Sequence, residues 1–295
     1  MRTGFIGLGA MGAPMARNLH KAGLLRSVWN RNVTLGAALA AETGVTHADS
    51  LEELAVHCQA IVICVSADND VLELVRTIAP RVAAGTLVID CSTISANAAR
   101  AAATLLATHG AAFLDCPVSG GVEGARLGTL AIMCGGDATA FKRARPVLQA
   151  MGKTVTHFGA SGAGAAAKAT NQIMCAGIIR AVAEAMAFAR AQGLPLPALV
   201  DTLGKGAGSS WYFVNRAPNM IRGEYPPGFR VRLHAKDLGI CRDMAAAVGV
   251  SLPVVDEMLA EYATLIEQGH GDEDISAVYR LKQRLFANAA AARGS

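Results

Sequence analysis

The stretch Gly7-Leu8-Gly9-Ala10-Met11-Gly12 decides how this chain begins to fold. It ends an apolar run at 3–8 that is typical of a strand, and it opens a helix-like segment at 11–22. The first glycine permits a tight turn, the second lets the backbone approach a pyrophosphate, and the third allows close packing of helix on strand. The helix N-terminus also stabilises negative charge. Because the motif lies in this strand–turn–helix context, the sequence predicts dinucleotide binding.

The first half of the chain continues this alternation of apolar runs and helix-like segments. Strands are predicted at 3–8, 25–29, 60–65, 86–90, 111–115, 129–134 and 153–157, and helices near 11–22, 34–43, 50–57, 69–78, 95–109 and 138–150. Strands that alternate with helices need crossover connections, so the pattern predicts a largely parallel sheet covered on both faces.

The second half is helical. After the glycine-rich turn at 159–164, one helix of roughly 28 residues is predicted from about 164 to 191. Further helices are predicted near 197–204, 210–222, 233–248, 253–268 and 275–290. We therefore expect an α/β dinucleotide-binding domain over 1–160 and an all-helical domain over 161–295.

The composition excludes several classes of protein. With 52% hydrophobic and 17% charged residues the chain is not disordered, and a net charge of +4 without basic runs gives no sign of nucleic-acid binding. Seven cysteines without a CxxC pair and seven histidines without ligand spacing predict a reducing compartment and no metal site. Polar residues interrupt the apolar stretch 164–189, so we expect a soluble cytoplasmic protein without a membrane span.

The end of the second predicted strand bears on the choice between NAD and NADP. NAD-selective sites usually place Asp or Glu there, to bind the ribose hydroxyls. The sequence instead reads Val28-Trp29-Asn30-Arg31-Asn32-Val33-Thr34, without an acid. Arg31 can pair with a 2′-phosphate, with Asn30 and Thr34 as hydrogen-bonding neighbours. The alternative is a solvated arginine in a turn, and we prefer NADP.

The stretch Gly164-Ala165-Ala166-Ala167-Lys168-Ala169-Thr170-Asn171-Gln172 places one lysine among small apolar residues at the start of the long helix. Residues three and four positions apart share a helical face, so Asn171 and Gln172 should project beside Lys168. Burial there would favour the neutral amine, which suits proton transfer. For this segment alone, a lysine that extends from a buried helix to solvent is the alternative.

Two turns that follow predicted strands are candidates for ligand contacts. In Asp115-Cys116-Pro117-Val118-Ser119-Gly120-Gly121, the Ser119 hydroxyl and the N–H groups of Gly120 and Gly121 could hold a carboxylate. An ordinary turn is equally consistent with these residues. Thr93, after the preceding strand, could contact a nicotinamide or simply cap the next helix.

The helical half contains one further charged pair, Lys236-Asp237. Adjacent positions do not face each other on a helix, so the spacing alone predicts a solvated face rather than an ion pair.

Four motifs, in this order, resemble those of the β-hydroxyacid dehydrogenase family. They are residues 4–16, residues 115–121 with 128–130, residues 159–171, and Lys236-Asp237-Leu238 with Gly249 and Leu252-Pro253. The resemblance covers nearly the whole chain. It implies an N-terminal Rossmann domain, a long connecting helix and an all-helical C-terminal domain for substrate binding and oligomerisation, in homodimers or homotetramers.

The resemblance also implies roles for individual residues. Lys168 would be the general acid/base, and Asn171 would hold the lysine or the substrate oxygen in line. Many members have asparagine where this chain has Gln172, so the amide that contacts substrate stays open. The substrate-binding residues would be Ser119, Gly120, Gly121, Gln172, Trp211 and Lys236. The cofactor-binding residues would be Gly7, Leu8, Gly9, Ala10, Met11, Gly12, Asn30, Arg31, Thr34, Val65, Ser66, Thr93, Phe229, Lys236 and Asp237.

These expectations combine into one reaction and its alternatives. The reaction is an NADP-dependent interconversion of a short 3-hydroxyacid and its semialdehyde, a small anionic substrate. Trp211 and Phe229 would form part of the wall of the substrate pocket. The alternative for both residues is ordinary packing. An imine reductase of the same architecture usually carries an acid or tyrosine where this chain has Lys168, and a 6-phosphogluconate dehydrogenase would have a histidine shortly after the lysine. The remaining alternative is a non-catalytic NADP-binding module.

Overall fold

The computed structural model describes the backbone of residues 1–291 and the side chains of residues 1–286. The last four residues of the predicted second domain therefore lie outside the described residues. The chain divides into two compact units, Met1–Lys168 and a second unit that begins at Ala169.

The first unit contains one sheet of nine strands among the described residues. The strands are β1 (Thr3–Ile6), β2 (Leu25–Trp29), β3 (Thr46–His47), β4 (Ala60–Ile63), β5 (Leu87–Asp90), β6 (Ala112–Asp115), β7 (Val118–Ser119), β8 (Leu130–Gly136) and β9 (Gly152–Gly159). Their order is β3-β2-β1-β4-β5-β6-β8-β7, with β9 paired to β8. From β3 to β6 every pair is parallel, as the sequence predicts, whereas β8 runs antiparallel to β6 and β7.

Helices follow most of these strands and cover both faces of the sheet. They are α1 (Gly12–Lys21), α2 (Val33–Thr43), α3 (Leu51–His57), α4 (Asp68–Ile78), α5 (Ala96–Ala107), α6 (Gly121–Leu127) and α7 (Ala138–Met151). Successive strand residues alternate between two apolar clusters: Phe5 and Val62 belong to one, and Ile6 and Ile63 to the other. This alternation buries both faces, which parallel sheets require.

Three short elements escape the sequence pattern. β3 and β7 have two residues each, which is too short for any periodicity. α6 begins within residues 115–121, which the sequence predicts to form a turn. Gly120 and Gly121 in this stretch have positive φ values of 128° and 63°. The chain enters the helix at the second of these two glycines.

The second unit is helical throughout its described part. α8 (Ala163–Ala191) begins in the first unit and is followed by α9 (Leu196–Leu203), α10 (Trp211–Arg222), α11 (Val231–Ala246), α12 (Pro253–Glu267), a 3-10 helix (Ile275–Val278) and α13 (Tyr279–Ala291). The single helix predicted at 275–290 is wrong at its start. Asp274 Oδ1 accepts hydrogen bonds from the N–H and hydroxyl of Ser276, and this cap begins the 3-10 turn.

By length and composition alone, the helix α8 is long and apolar enough to cross a membrane. In its most apolar window, 44% of the residues are buried inside the protein. Core helices of soluble proteins share this length and apolar composition.

Candidate active site

Most of the predicted cofactor residues of the first unit lie in loops at one edge of the sheet. β1, β2, β4 and β5 are parallel, so residues 7–11, 30–32, 64–67 and 91–95 all follow the carboxyl ends of neighbouring strands. β1 has β2 on one side and β4 on the other. This is the position at which strand order reverses, and open α/β sheets bind ligands in the crevice there.

The three motif glycines meet different constraints. Gly7 has φ of 93°, and a Cβ on it would overlap the carbonyl oxygen of Cys64. A Cβ on Gly12 would overlap the carbonyl oxygen of Gly7, so this residue lets α1 begin close to β1. A Cβ on Gly9 would meet nothing within 4 Å. The surface over Gly9 is therefore open to a ligand, and the loop fits a pyrophosphate.

Two successive residues after β2 have different surroundings: one joins neighbouring segments by hydrogen bonds, and the other is an exposed cation. Asn30 Oδ1 accepts a hydrogen bond of 2.8 Å from the N–H of Leu8, and its Nδ2 donates to the carbonyl of Asn32 at 3.0 Å. Its side chain thus joins the glycine loop to the end of β2. Arg31 is 90% exposed and lies 3.8 Å from Asp70. Thr34 is exposed in the first turn of α2.

A serine joins the loops after β4 and β5. Ser92 Oγ accepts a hydrogen bond of 2.9 Å from the N–H of Val65, and the N–H of Ser92 donates to Asp90 Oδ1 at 3.1 Å. Ser66 lies exposed in the first of these loops and Thr93 half-buried in the second. The sequence reading missed Ser92, whose only signal was its place beside Thr93.

The cap of α5 is Ser95, not Thr93. Ser95 Oγ accepts a hydrogen bond of 3.1 Å from the N–H of Ala98. The helix-capping alternative for Thr93 is therefore wrong, because the chain reaches the helical conformation two residues later.

The turn predicted to hold a carboxylate lies between β7 and α6. Ser119 pairs with Ala131 of β8 in the sheet, and Gly120 precedes the first residue of α6. Gly120 and Gly121 are exposed, and a Cβ on Gly121 would meet nothing within 4 Å. The N–H groups of this turn are thus accessible to a small anion.

Lys168 lies in the second turn of α8 and is buried, with 7% of its surface exposed. The start of this helix is held by a residue that the sequence reading did not assign. Asp115 Oδ1 accepts a hydrogen bond from the N–H of Gly162 and Asp115 Oδ2 one from Ala165, both at 2.9 Å. An acid inside the apolar run 113–116 was the signal that could have identified it.

Four side chains of the second unit form one hydrogen-bonded chain. Asn171 Nδ2 donates to Gln172 Oε1 at 2.8 Å, and Gln172 Nε2 donates to Asp237 Oδ2 at 2.7 Å. Lys236 Nζ lies 2.8 Å from Asp237 Oδ1. A carboxylate only accepts hydrogen bonds, so Asp237 sets the orientation of both amides.

The solvated face predicted for Lys236 and Asp237 is therefore wrong. Asp237 is only 4% exposed. Although adjacent helix positions point in different directions, the long flexible stem of Lys236 brings its ammonium to the buried carboxylate.

Trp211 and Phe229, which are predicted to form the pocket wall, contact different neighbours. Trp211 is 67% exposed, and the guanidinium carbon of Arg216 lies 5.2 Å from the centroid of its ring. The ring of Phe229 lies against His234, with centroids 5.4 Å apart, and its N–H donates to the buried Asp274 at 3.0 Å. Trp211 is therefore not packed in the core, whereas Phe229 packs against the apolar cluster of the second unit.

Comparisons with known proteins cover both units. Residues 2–159 match a family model described as the NAD binding domain of 6-phosphogluconate dehydrogenase. Residues 162–282 match a model described as NAD-binding of NADP-dependent 3-hydroxyisobutyrate dehydrogenase.

Individual relatives align over nearly their full length. An NAD-dependent L-serine dehydrogenase from Pseudomonas aeruginosa is 37% identical over 94% of this chain and 96% of its own. The structure of Mycobacterium tuberculosis 3-hydroxyisobutyrate dehydrogenase with L-serine has a TM-score of 0.87 at 36% identity, and the match covers 95% of this chain and 99% of that one. A structure described as Psf3 in complex with NADP+ and 2-OPP has a TM-score of 0.86 at 25% identity, with the same coverage. The expected Rossmann domain and helical C-terminal region are confirmed, and the chain belongs to the β-hydroxyacid dehydrogenase family.

Proposed function

We propose that this protein is an NADP-dependent enzyme that interconverts a short 3-hydroxyacid, such as 3-hydroxyisobutyrate or glycerate, and its semialdehyde. Membership of the family supports an oxidoreductase that acts on hydroxyacids. The observation that carries the finer proposal is the buried Lys168 in the second turn of α8, a helix anchored to the strand that leads into the Ser119–Gly121 turn.

The chemistry divides among these residues. The N–H groups and hydroxyl of Ser119–Gly121 bind the substrate carboxylate and orient the carbon that reacts. When bound, NADPH would supply the hydride to that carbon in reduction, and NADP+ would accept it in oxidation. In reduction, protonated Lys168 donates its proton to the oxygen that becomes the hydroxyl, and in oxidation the neutral amine takes that proton back.

We assign the contact with the substrate oxygen to Asn171 rather than to Gln172. Gln172 is 2% exposed and is hydrogen-bonded at both ends of its amide. Asn171 donates its Nδ2 to Gln172, which leaves Oδ1 as the atom that accepts from a hydroxyl. Gln172 then serves to orient Asn171, Lys236 helps to position the substrate, and Trp211 forms part of the pocket wall.

The preference for NADP rests on Arg31. The relatives do not decide it, since one is named as NAD-dependent and another is in complex with NADP+. Arg31 is exposed and its ion pair with Asp70 spans 3.8 Å, a weak contact from which the guanidinium can turn to a 2′-phosphate. The other proposed cofactor contacts are Gly7–Gly12, Asn30, Thr34, Val65, Ser66, Thr93, Phe229, Lys236 and Asp237.

Two further properties belong to the same proposal. We place the enzyme in the cytoplasm, because its free cysteines suit a reducing compartment. We expect a homodimer or homotetramer, as the family resemblance implies.

The reaction is tested by following NADPH oxidation with glyoxylate and with tartronate, succinate and methylmalonate semialdehydes. The reverse reaction is followed with 3-hydroxyisobutyrate, glycerate and L-serine. We expect turnover of at least one semialdehyde and of its hydroxyacid. Rapid turnover of a cyclic imine without any semialdehyde activity would contradict the proposal, as would NADPH binding without turnover of any compound.

Replacing Lys168 tests the proton transfer. Lys168→Ala removes the amine, so kcat should fall on the order of a hundredfold or more, while NADPH affinity is retained. The control is Lys153→Ala, which removes an exposed lysine of β9 and should leave kcat unchanged. Near-normal turnover by Lys168→Ala would contradict the assignment of Lys168 as the general acid/base.

Arg31→Ala tests the cofactor preference. Loss of a charge-assisted contact to the 2′-phosphate should raise the Kd for NADPH roughly tenfold or more and leave the Kd for NADH nearly unchanged. Arg26→Ala, which removes an exposed arginine of β2, is the matched control and should change neither value. Equal weakening of both cofactors by Arg31→Ala would show that Arg31 does not bind the phosphate.

The glycine loop offers a pair of matched substitutions. Gly9→Ala adds a methyl group to open space, so the protein should fold normally but bind NADPH with an affinity reduced by about tenfold or more. Gly12→Ala places the same methyl group on the carbonyl of Gly7 and should reduce the melting temperature as well. Wild-type affinity for NADPH in Gly9→Ala would mean that the cofactor does not approach this backbone.

A further inference from the structure

The start of α8 is held by an acidic side chain from a different element. Asp115, the last residue of β6, is fully buried, and each of its oxygens accepts one backbone N–H. The donors are Gly162, just before the helix, and Ala165 in its first turn. N–H groups at the start of a helix have no acceptor within the helix, and a negative charge there is stabilised by the helix dipole.

Two glycines bring this acid and the helix into direct contact. A Cβ on Gly135 of β8 would lie 2.7 Å from both oxygens of Asp115 and 2.7 Å from the N atom of Gly164. A Cβ on Gly164 would overlap the carbonyl oxygens of Asp115 and Met133. β6, β8 and the first turn of α8 therefore meet backbone to backbone, with no room for a side chain between them.

Short segments of chain connect Asp115 to the turn proposed to bind the substrate carboxylate and to the lysine proposed to transfer the proton. On one side the chain continues from Asp115 into the Ser119–Gly121 turn. On the other, Lys168 follows Ala165 by three residues of continuous helix, roughly 4.5 Å along the axis. A change in the position of the first helical turn is thus transmitted directly to the lysine.

We propose that Asp115 is a positioning residue whose carboxylate fixes the first turn of α8 to the end of β6 and thereby sets Lys168 in register with the Ser119–Gly121 turn. The inference rests on the proposed function, because it concerns the group to which that function assigns proton transfer. It adds a residue that does not touch the reacting atoms but determines where they meet their acid/base.

The requirement is for a carboxylate rather than for any polar group. Asparagine has one oxygen to accept an N–H, and its amide nitrogen would oppose the second N–H. Burial raises the pKa of Asp115, although the N–H groups of Gly162, Ala165 and Gly164 oppose that rise. A carboxylate thus accepts from both backbone N–H groups, whereas an amide accepts from one.

The first test compares two acid-to-amide changes at helix starts of the same unit. Asp115→Asn should lower kcat by between about ten- and a hundredfold, since small displacements of a catalytic group have effects of this size. Its KM for NADPH should stay within about twofold of the wild type. In Asp137→Asn, at the cap of α7, the asparagine still accepts from the N–H of Ala140, and kcat should not change.

A double-mutant cycle separates positioning from a general structural role. If Asp115 acts through Lys168, Asp115→Asn should cause no further loss of kcat in the Lys168→Ala background. Multiplication of the two losses would overturn the proposal, and so would an unchanged kcat in the single variant. Near-normal turnover by Lys168→Ala alone would instead contradict the proposed function.

Hydrogen exchange tests the contact without reference to activity. In the wild-type protein the amides of Gly162 and Ala165 should exchange as slowly as those of the sheet, whereas unbonded amides of a first helical turn exchange fast. Asp115→Asn should accelerate exchange at these two positions. If that variant does not fold, the wild-type measurement still decides, because fast exchange at both amides would overturn the proposal.

Discussion

The close approach of backbone to backbone at glycine is the constraint on which the rest of the site depends. Gly12 lets α1 begin directly on β1, and Gly164 lets α8 begin directly on β6 and β8. A side chain at either position would move a whole helix away from the sheet. Both helix starts that the proposed mechanism uses, one for the cofactor and one for Lys168, are thus defined by contacts that only glycine permits.

Two buried carboxylates then fix the orientation of the groups that donate hydrogen bonds to them. Asp115 accepts two backbone N–H groups and holds a helix, whereas Asp237 accepts from Gln172 and orients two side-chain amides. In both places the acid accepts hydrogen bonds and cannot donate, so the direction of every neighbouring hydrogen bond follows from it. The same property makes a neutral amide a poor replacement at either position.

Sequence reasoning predicted elements that repeat a pattern and missed contacts that depend on the fold. Strand β2 and helix α8 follow from apolar runs and their glycine or proline ends. The positions of Ser92 and Asp115 relative to their partners depend on strand order, which periodicity does not contain. The ion pair of Lys236 was excluded for a related reason, since helix spacing describes where a side chain begins and not how far it reaches.

The arrangement after β2 separates support of the glycine loop from the proposed recognition of the 2′-phosphate. Asn30 supports the glycine loop, because its amide joins that loop to the end of the strand. Arg31 is exposed and makes only a long contact with Asp70. The residue that supports the loop and the residue proposed to read the 2′-phosphate are therefore different side chains. Under the proposal, a substitution at Arg31 therefore alters the affinity for the 2′-phosphate and leaves the hydrogen bonds of Asn30 to the glycine loop in place.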